Sequence, residues 1–205
     1  MNLHAAQPAV PPAAAMHRDA SALLQSIVEV ARAIFGAQAS SVCLLDEEAG
    51  ELVFEAISGQ GEGRLIGHRF PAHRGIAGYV ALTGEPLVVE DLADNGMFAR
   101  DIAESTQFVP GALMAAPLLY GERVLGVLEV LDPVPQCRGN LADLDLLTLF
   151  AHQAAVALHV VLDERARQQA GLARTLQTVD AMSEGSRAAS LELIDAVRAM
   201  LLPRV

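Results

Sequence analysis

Cysteine is scarce in this chain: two in 205 residues, far below the density of a small secreted fold stapled by disulfides. Cys43 lies in an apolar, strand-like run and Cys137 in a proline-rich loop, a usage that fits a reducing compartment. Long apolar runs are lacking too. Although 52% of the residues are hydrophobic, no uninterrupted stretch reaches the ~20 residues that a bilayer-spanning helix needs. The N-terminus has no basic region, and Pro8, Pro11 and Pro12 interrupt what would be the apolar segment of a signal peptide. A soluble, cytoplasmic protein with no membrane partner is the expectation. Positive charge is the third shortage, with 14 Lys and Arg against 25 Asp and Glu, a net charge of −11. Such a chain repels a polyanion, so nucleic acid is not an expected partner.

What is present is a regular succession of short patterned segments. Residues 1–18 are rich in Ala and Pro, carry no periodicity, and read as a mobile tail. From Asp19, a plausible N-cap, the apolar residues Leu23, Ile27, Val30, Ala31 and Ile34 recur at helical spacing up to Gly36. Ser41 to Asp46 and Leu52 to Ser58 are apolar runs separated by Glu47, Glu48 and Gly50, the pattern of a hairpin. A glycine-rich loop, Gly59, Gly61 and Gly63, and a short segment to Phe70 lead to Gly75–Gly84. That stretch reads as a short packed helix holding Gly78, stopped by Gly84 and Pro86. Leu87 to Glu90 suits a strand, and Asp91 to Val109 suits a loop or short irregular helices. Ala112 to Tyr120 and Val124 to Leu131 read as a second hairpin turned at Gly121 and Glu122. From Leu141, the residues Leu144, Leu147, Ala151, Ala154, Ala155, Leu158 and Leu162 follow a helical stripe for about six turns of ~3.6 residues. The pattern then narrows to Leu172, Leu176, Val179 and Met182, and after Gly185 to Leu191, Ile194, Val197 and Leu201. Stripes that narrow need a partner surface.

Two stretches carry a family resemblance. One is Arg69-Phe70-Pro71 followed by Gly75-Ile76-Ala77-Gly78-Tyr79-Val80-Ala81-Leu82-Thr83-Gly84-Glu85-Pro86-Leu87-Val88-Val89-Glu90-Asp91. The other is Ala115-Ala116-Pro117-Leu118, then Val124-Leu125-Gly126-Val127-Leu128-Glu129-Val130-Leu131 and a helix. In order and spacing these resemble the GAF domain family over about residues 19–163, between the tail of residues 1–18 and a helical extension of residues 164–205. The resemblance implies an α+β fold: a six-stranded antiparallel sheet with the terminal helices on one face and short helices and loops, often over a small ligand, on the other.

The resemblance places a pocket between the sheet and the segments Gly75–Gly84 and Asp94–Phe108. Candidate lining residues are Phe70, Tyr79, Phe98, Phe108, Met114 and Glu129, all of which would serve equally as ordinary core or cover. His68, Arg69, His73 and Arg74 form the local basic cluster, able to meet an anionic ligand or to pair with carboxylates such as Glu62. Asp91 is a further candidate, although an Asp ending a strand commonly accepts backbone N–H groups of the next turn. His152 and His159 are two turns apart on one helix, too far to ligate one metal together. No histidine matches the haem-ligand position of haem-bearing GAF domains, and the bilin-attachment and cyclic-nucleotide signatures of other members are not matched either. The cofactor stays open. Some GAF-like proteins reduce free methionine sulfoxide with pocket cysteines, but that needs an activated thiolate and a resolving thiol, and here a third cysteine of that pattern is missing. The Gly59–Gly63 loop lacks the lysine and the strand-to-helix setting of a phosphate-cradling loop. The expectation is a non-catalytic sensory module that binds a small molecule, forms a homodimer and signals to a partner protein. The alternative is a ligand-free interaction or dimerisation module.

Overall fold

A computed structural model describes residues 12–61, 63–134, 142–180, 192 and 194–195. The chain divides into two compact units, residues 1–161 and 162–205. In the first unit the order is α1 (Pro12–Phe35), β1 (Ala39–Asp46), β2 (Glu51–Gly59), β3 (Arg69–Pro71), α2 (Gly75–Thr83), β4 (Leu87–Val89), α3 (Arg100–Thr106), β5 (Leu113–Tyr120), β6 (Arg123–Leu131) and the start of α4 (Asp143–Asp180). Of the second unit, residues 162–180 are helical, and Arg167 pairs with Asp163 one turn earlier at 2.6 Å. Met182, Leu191, Val197, Leu201, Cys137 and Glu62 lie outside the described residues, as do residues 1–11 of the stretch read as a tail.

The strands form one antiparallel sheet in the order β3-β2-β1-β6-β5-β4. β1 and β6 lie together at its centre, so segments about 90 residues apart share the middle of the core. Each strand's alternation gives the sheet two apolar faces. One carries Cys43, Phe54, Ile57, Leu113, Ala115 and Val127 into a core shared with Phe70, Ile76, Ala77, Val80 and Leu92. α1 covers the other face, against β1, β2 and β6, and α4 reaches β5, where His159 stacks on Tyr120. A bulge in the β1–β2 pairing at Val42/Cys43 lets both Phe54 and Ile57, three residues apart, point to the first face.

Two local expectations change in the folded chain, both in α1. α1 starts at Pro12 rather than Asp19, because Pro is preorganised for a first helical position and the following alanines have the highest helix propensity. Its buried stripe is Ala20, Leu24, Ile27, Val28, Ala31 and Phe35, while Val30 is exposed. The helix is apolar on more than one side, and the sheet selects the side with the continuous i, i+4, i+7 ridge. The stretch after β4, read as a loop or short irregular helices, holds one short helix, α3. α4, by contrast, buries the expected Leu147, Ala151, Ala154, Ala155 and Leu158.

α2 is the element that positions the site. Its first turn has no side-chain cap. It ends as its sequence predicts: Gly84 takes a left-handed φ of 70° and its amide closes on the Val80 carbonyl at 2.9 Å. Gly78 lets the helix pack tightly, since a Cβ there would fall 2.6 Å from the His73 carbonyl carbon and 2.9 Å from the Ala72 carbonyl oxygen.

Asp143–Asp163 is long and apolar enough, by length and composition, to cross a membrane. Five of its residues, those named above, are buried in the domain core.

Candidate functional site

The sheet face under α2 and α3 is not completely filled. A cavity of about 90 Å³ lies there, walled by Phe54, Phe70, Ile76, Phe98, Ile102 and Phe108 and floored by Ala39, Ser41, Leu113 and Glu129. Its origin can be read from the strand register. Ser41 and Ala115 both lie opposite Glu129, and Ile57 lies opposite Ser41, so one row across the sheet runs Ile57, Ser41, Glu129, Ala115. Two small residues flank the carboxylate, which leaves space above it that larger neighbours would close.

Glu129 is 8% exposed. The Ser41 hydroxyl donates to its Oε2 at 2.9 Å. Burial raises the Glu129 pKa above the ordinary glutamate value, and the Ser41 hydrogen bond acts against that rise without cancelling it. Beside it on β1, the Cys43 thiol is wholly buried, and burial followed by the Glu129 charge pushes its pKa well up. A thiol in that state is the opposite of the activated thiolate that pocket-cysteine reduction requires.

The candidate residues separate clearly. Phe70, Phe98, Phe108, Arg74 and Glu129 line the cavity. Tyr79 does not: it is 41% exposed on the outer side of α2. Met114 is buried on the opposite face of β5, because it is one residue out of phase with Leu113 and Ala115. The basic cluster is dispersed. His68 and His73 are exposed, and Arg69 donates to Glu51 Oε2 at 2.7 Å and to Asp46 outside the cavity. The Asp46 carboxyl is held below its ordinary pKa by the Ala49 amide first and by Arg69 second. Arg74 alone of the four reaches the cavity wall, where it pairs with Asp101 of α3 at 2.5 Å and lowers that carboxyl's pKa. Asp91 is exposed and caps a turn, its Oδ1 accepting the Ala93 amide at 3.0 Å. His159 stacks on Tyr120 with ring centroids 3.7 Å apart, and His152 is exposed. Among the described residues, no group of three or more His, Cys, Asp and Glu side chains could hold a metal.

Ser41, Phe54, Ile102 and the small residue Ala39 are among the lining residues that the sequence did not single out. The one local signal was a pair of serines, Ser40 and Ser41, in an otherwise apolar strand. What Ser41 faces depends on a partner 88 residues away.

Comparison with known proteins decides the family. The profile described as GAF domain matches residues 19–158. The chain belongs to the GAF domain family. Among curated proteins, it is similar to the "Probable 3',5'-cyclic phosphodiesterase pde-5" of Caenorhabditis elegans, 26% identical over 67% of this chain and 20% of that protein. The chain thus spans about one fifth of that relative's length. The second GAF domain of DevS from Mycobacterium smegmatis superposes with a TM-score of 0.57 at 23% identity, over 73% of this chain and 99% of that one. The GAF domain of a phosphoenolpyruvate-protein phosphotransferase from Coxiella burnetii gives a TM-score of 0.60 at 17% identity, over 77% and 96% of the two chains. These likenesses establish the GAF fold and a kinship with GAF domains of phosphodiesterases. The cavity of this GAF domain, about 90 Å³, is smaller than the ~300–1,000 Å³ of sites that enclose drug-sized ligands.

Proposed function

We propose that this GAF domain is a non-catalytic sensory module of the cytoplasm, in which a small molecule enters the cavity between the sheet and its α2–α3 cover and shifts the equilibrium between two arrangements of that cover. The observation that carries this reading is a buried carboxylate, Glu129, on the floor of an apolar cavity. Apolar walls with a few convergent polar groups are the general character of a ligand site. The cover suits a responsive role, since the Arg74–Asp101 pair linking α2 to α3 is exposed and, screened by solvent, holds the two helices together only weakly. Output passes to a partner protein through the C-terminal helices, with residues 19–163 as the sensing domain and residues 164–205 as the extension.

Native mass spectrometry of the protein purified from its own host, repeated after denaturation, tests this. A small mass present in the first spectrum and lost in the second is the expected result. A clean apo species would remove the support for sensing.

A second reading, an interaction or dimerisation module that binds no ligand, is favoured by one observation. Leu149, Val156 and Val160 are exposed and share a face of α4 at i, i+7 and i+11. In either reading the chain is a homodimer held partly by its C-terminal helices. Removing residues 164–205 is expected to turn a dimer into a monomer in sedimentation and to leave the core's thermal transition in place. A shortened chain that still sediments as a dimer would exclude this.

A further inference from the structure

We propose that the cavity recognises a small organic cation, an ammonium or amidinium head on a short apolar body, with Glu129 and Ser41 as the groups that bind the head. This rests on the sensory reading above and specifies its ligand class.

The inference follows from the donors, acceptors and charges of the two buried polar groups on the cavity floor, Ser41 and Glu129; the lining's uncharged amide, Gln60, is exposed. Ser41 uses its hydroxyl proton on Glu129 Oε2, so toward the cavity it has only lone pairs to offer. The carboxylate beside it is likewise an acceptor. The polar part of the floor is therefore a cluster of acceptors and is complemented by a head rich in N–H donors. The charge balance points the same way. Two ionisable side chains line the cavity among the described residues, Glu129 and Arg74. Arg74, from α2, is neutralised by Asp101 of α3. Cys43, on β1 next to the floor, is kept as a neutral thiol by burial and by Glu129 itself. Glu129 has the Ser41 hydroxyl but, among the described residues, no cation, and a buried carboxylate without a counter-charge is costly.

An anionic ligand finds no comparable support. Of the four basic residues clustered in sequence, three lie outside the lining and the fourth has its own carboxylate. The apolar body of a cationic ligand would lie against Phe54, Phe98 and Phe108, whose ring faces also attract cations. A cavity of about 90 Å³ limits that body to a few carbons. The raised pKa of Glu129 adds a signature: the ligand-free carboxyl holds its proton more readily than usual, so capture of a cation releases a proton and tightens as pH rises.

The test compares three probes of one shape, propylammonium chloride, 1-propanol and sodium propionate, titrated into the full chain at pH 8 and followed by amide NMR shifts of residues lining the cavity. Propylammonium is expected to give saturable shifts with an affinity at least tenfold above that of the other two. Its affinity should fall by up to tenfold for each pH unit below the Glu129 pKa. Glu129→Gln should weaken it tenfold or more, and Ser41→Ala should weaken it to a smaller extent. Because probe selectivity is read on the unaltered chain, the result does not depend on a variant folding. Equal or tighter binding of propanol or propionate, or full affinity in a folded Glu129→Gln chain, would overturn the cationic assignment while leaving a ligand-binding module intact. Failure of all three probes to bind would overturn the assignment, and together with a clean apo mass spectrum it would remove the sensory reading as well.

Discussion

A Gly78→Val chain is expected to melt about 10 °C below the parent protein. At Gly78 any side chain begins with a Cβ placed 2.6 Å from one backbone atom of the α2 approach and 2.9 Å from another. Backbone cannot rotate away as the end of a long side chain can, so α2 must lift off the segment 72–73 or unwind its first turn. Overpacking of this kind costs ~1–3 kcal/mol and sometimes more, and for a domain of this size each kcal/mol lowers Tm by roughly 2–4 °C. Helix propensity does not explain such a loss, because Val is a slightly better helix former than Gly. Gly96→Val is the matched control: a Cβ there meets nothing within 4 Å, and its φ lies outside the left-handed region. Its melt should stay within about 2 °C of the parent, since surface changes away from special features stay within ±0.5 kcal/mol. Thermal melts followed by circular dichroism compare the two, and equal shifts would disprove the tight packing of α2. Gly61, a loop position that also suggests itself for comparison, is a poorer control because its φ is 82°, which strains any L side chain.

The second large effect is a pH dependence that Glu129→Gln should abolish. Burial raises the folded-state pKa of Glu129 above the ordinary 4.5. Between 4.5 and the raised value, the folded chain binds a proton that the unfolded chain has already lost. Stability due to this group is therefore complete at low pH, falls as pH rises through that window, and stays reduced above it. Glutamine keeps the shape, still accepts the Ser41 hydrogen bond and never ionises. The variant should accordingly match the parent near pH 4 and exceed it at pH 8, by about 1.4 kcal/mol for each unit of pKa shift. Asp46 and Asp101, whose folded pKa values are lowered by their hydrogen bonds and arginine partners, titrate in both proteins and cancel in the difference. Cys43 stays neutral across this range. Urea melts at pH 4, 6 and 8 give the comparison, and curves that run parallel at all three would show that Glu129 is not buried as a charge.

The elements themselves are legible in the sequence to a considerable degree. Both hairpins announce themselves through apolar runs bounded by acidic and glycine residues. α2 is bracketed by Gly75 and by Gly84-Glu85-Pro86, and the α4 stripe from Leu147 to Leu158 is the one buried. These features are local, decided by periodicity, turn chemistry and capping within a few residues. α1 shows where locality stops: it has apolar residues on adjoining sides, and only docking on β1, β2 and β6 selected Leu24, Val28 and Phe35 over Leu23, Val30 and Ile34.

The site depends almost wholly on tertiary placement. Phe70, Phe98, Phe108 and Glu129 are foreseeable as residues near the cover, but the basic cluster from His68 to Arg74 is contiguous only along the chain. Strand β3 and the turn after it send Arg69 to Asp46 and Glu51 and Arg74 to Asp101. Met114 was lost to the site by a single step of strand alternation. Ser41 gained its place because β1 pairs with β6 in a register that sets it opposite Glu129. What the sequence alone determined is the set of elements and the family, since both are written in short-range pattern and motif. What only the tertiary structure decided is which side chains meet over the sheet, because a one-residue change of register or phase moves a side chain to the other face while leaving the local pattern unchanged.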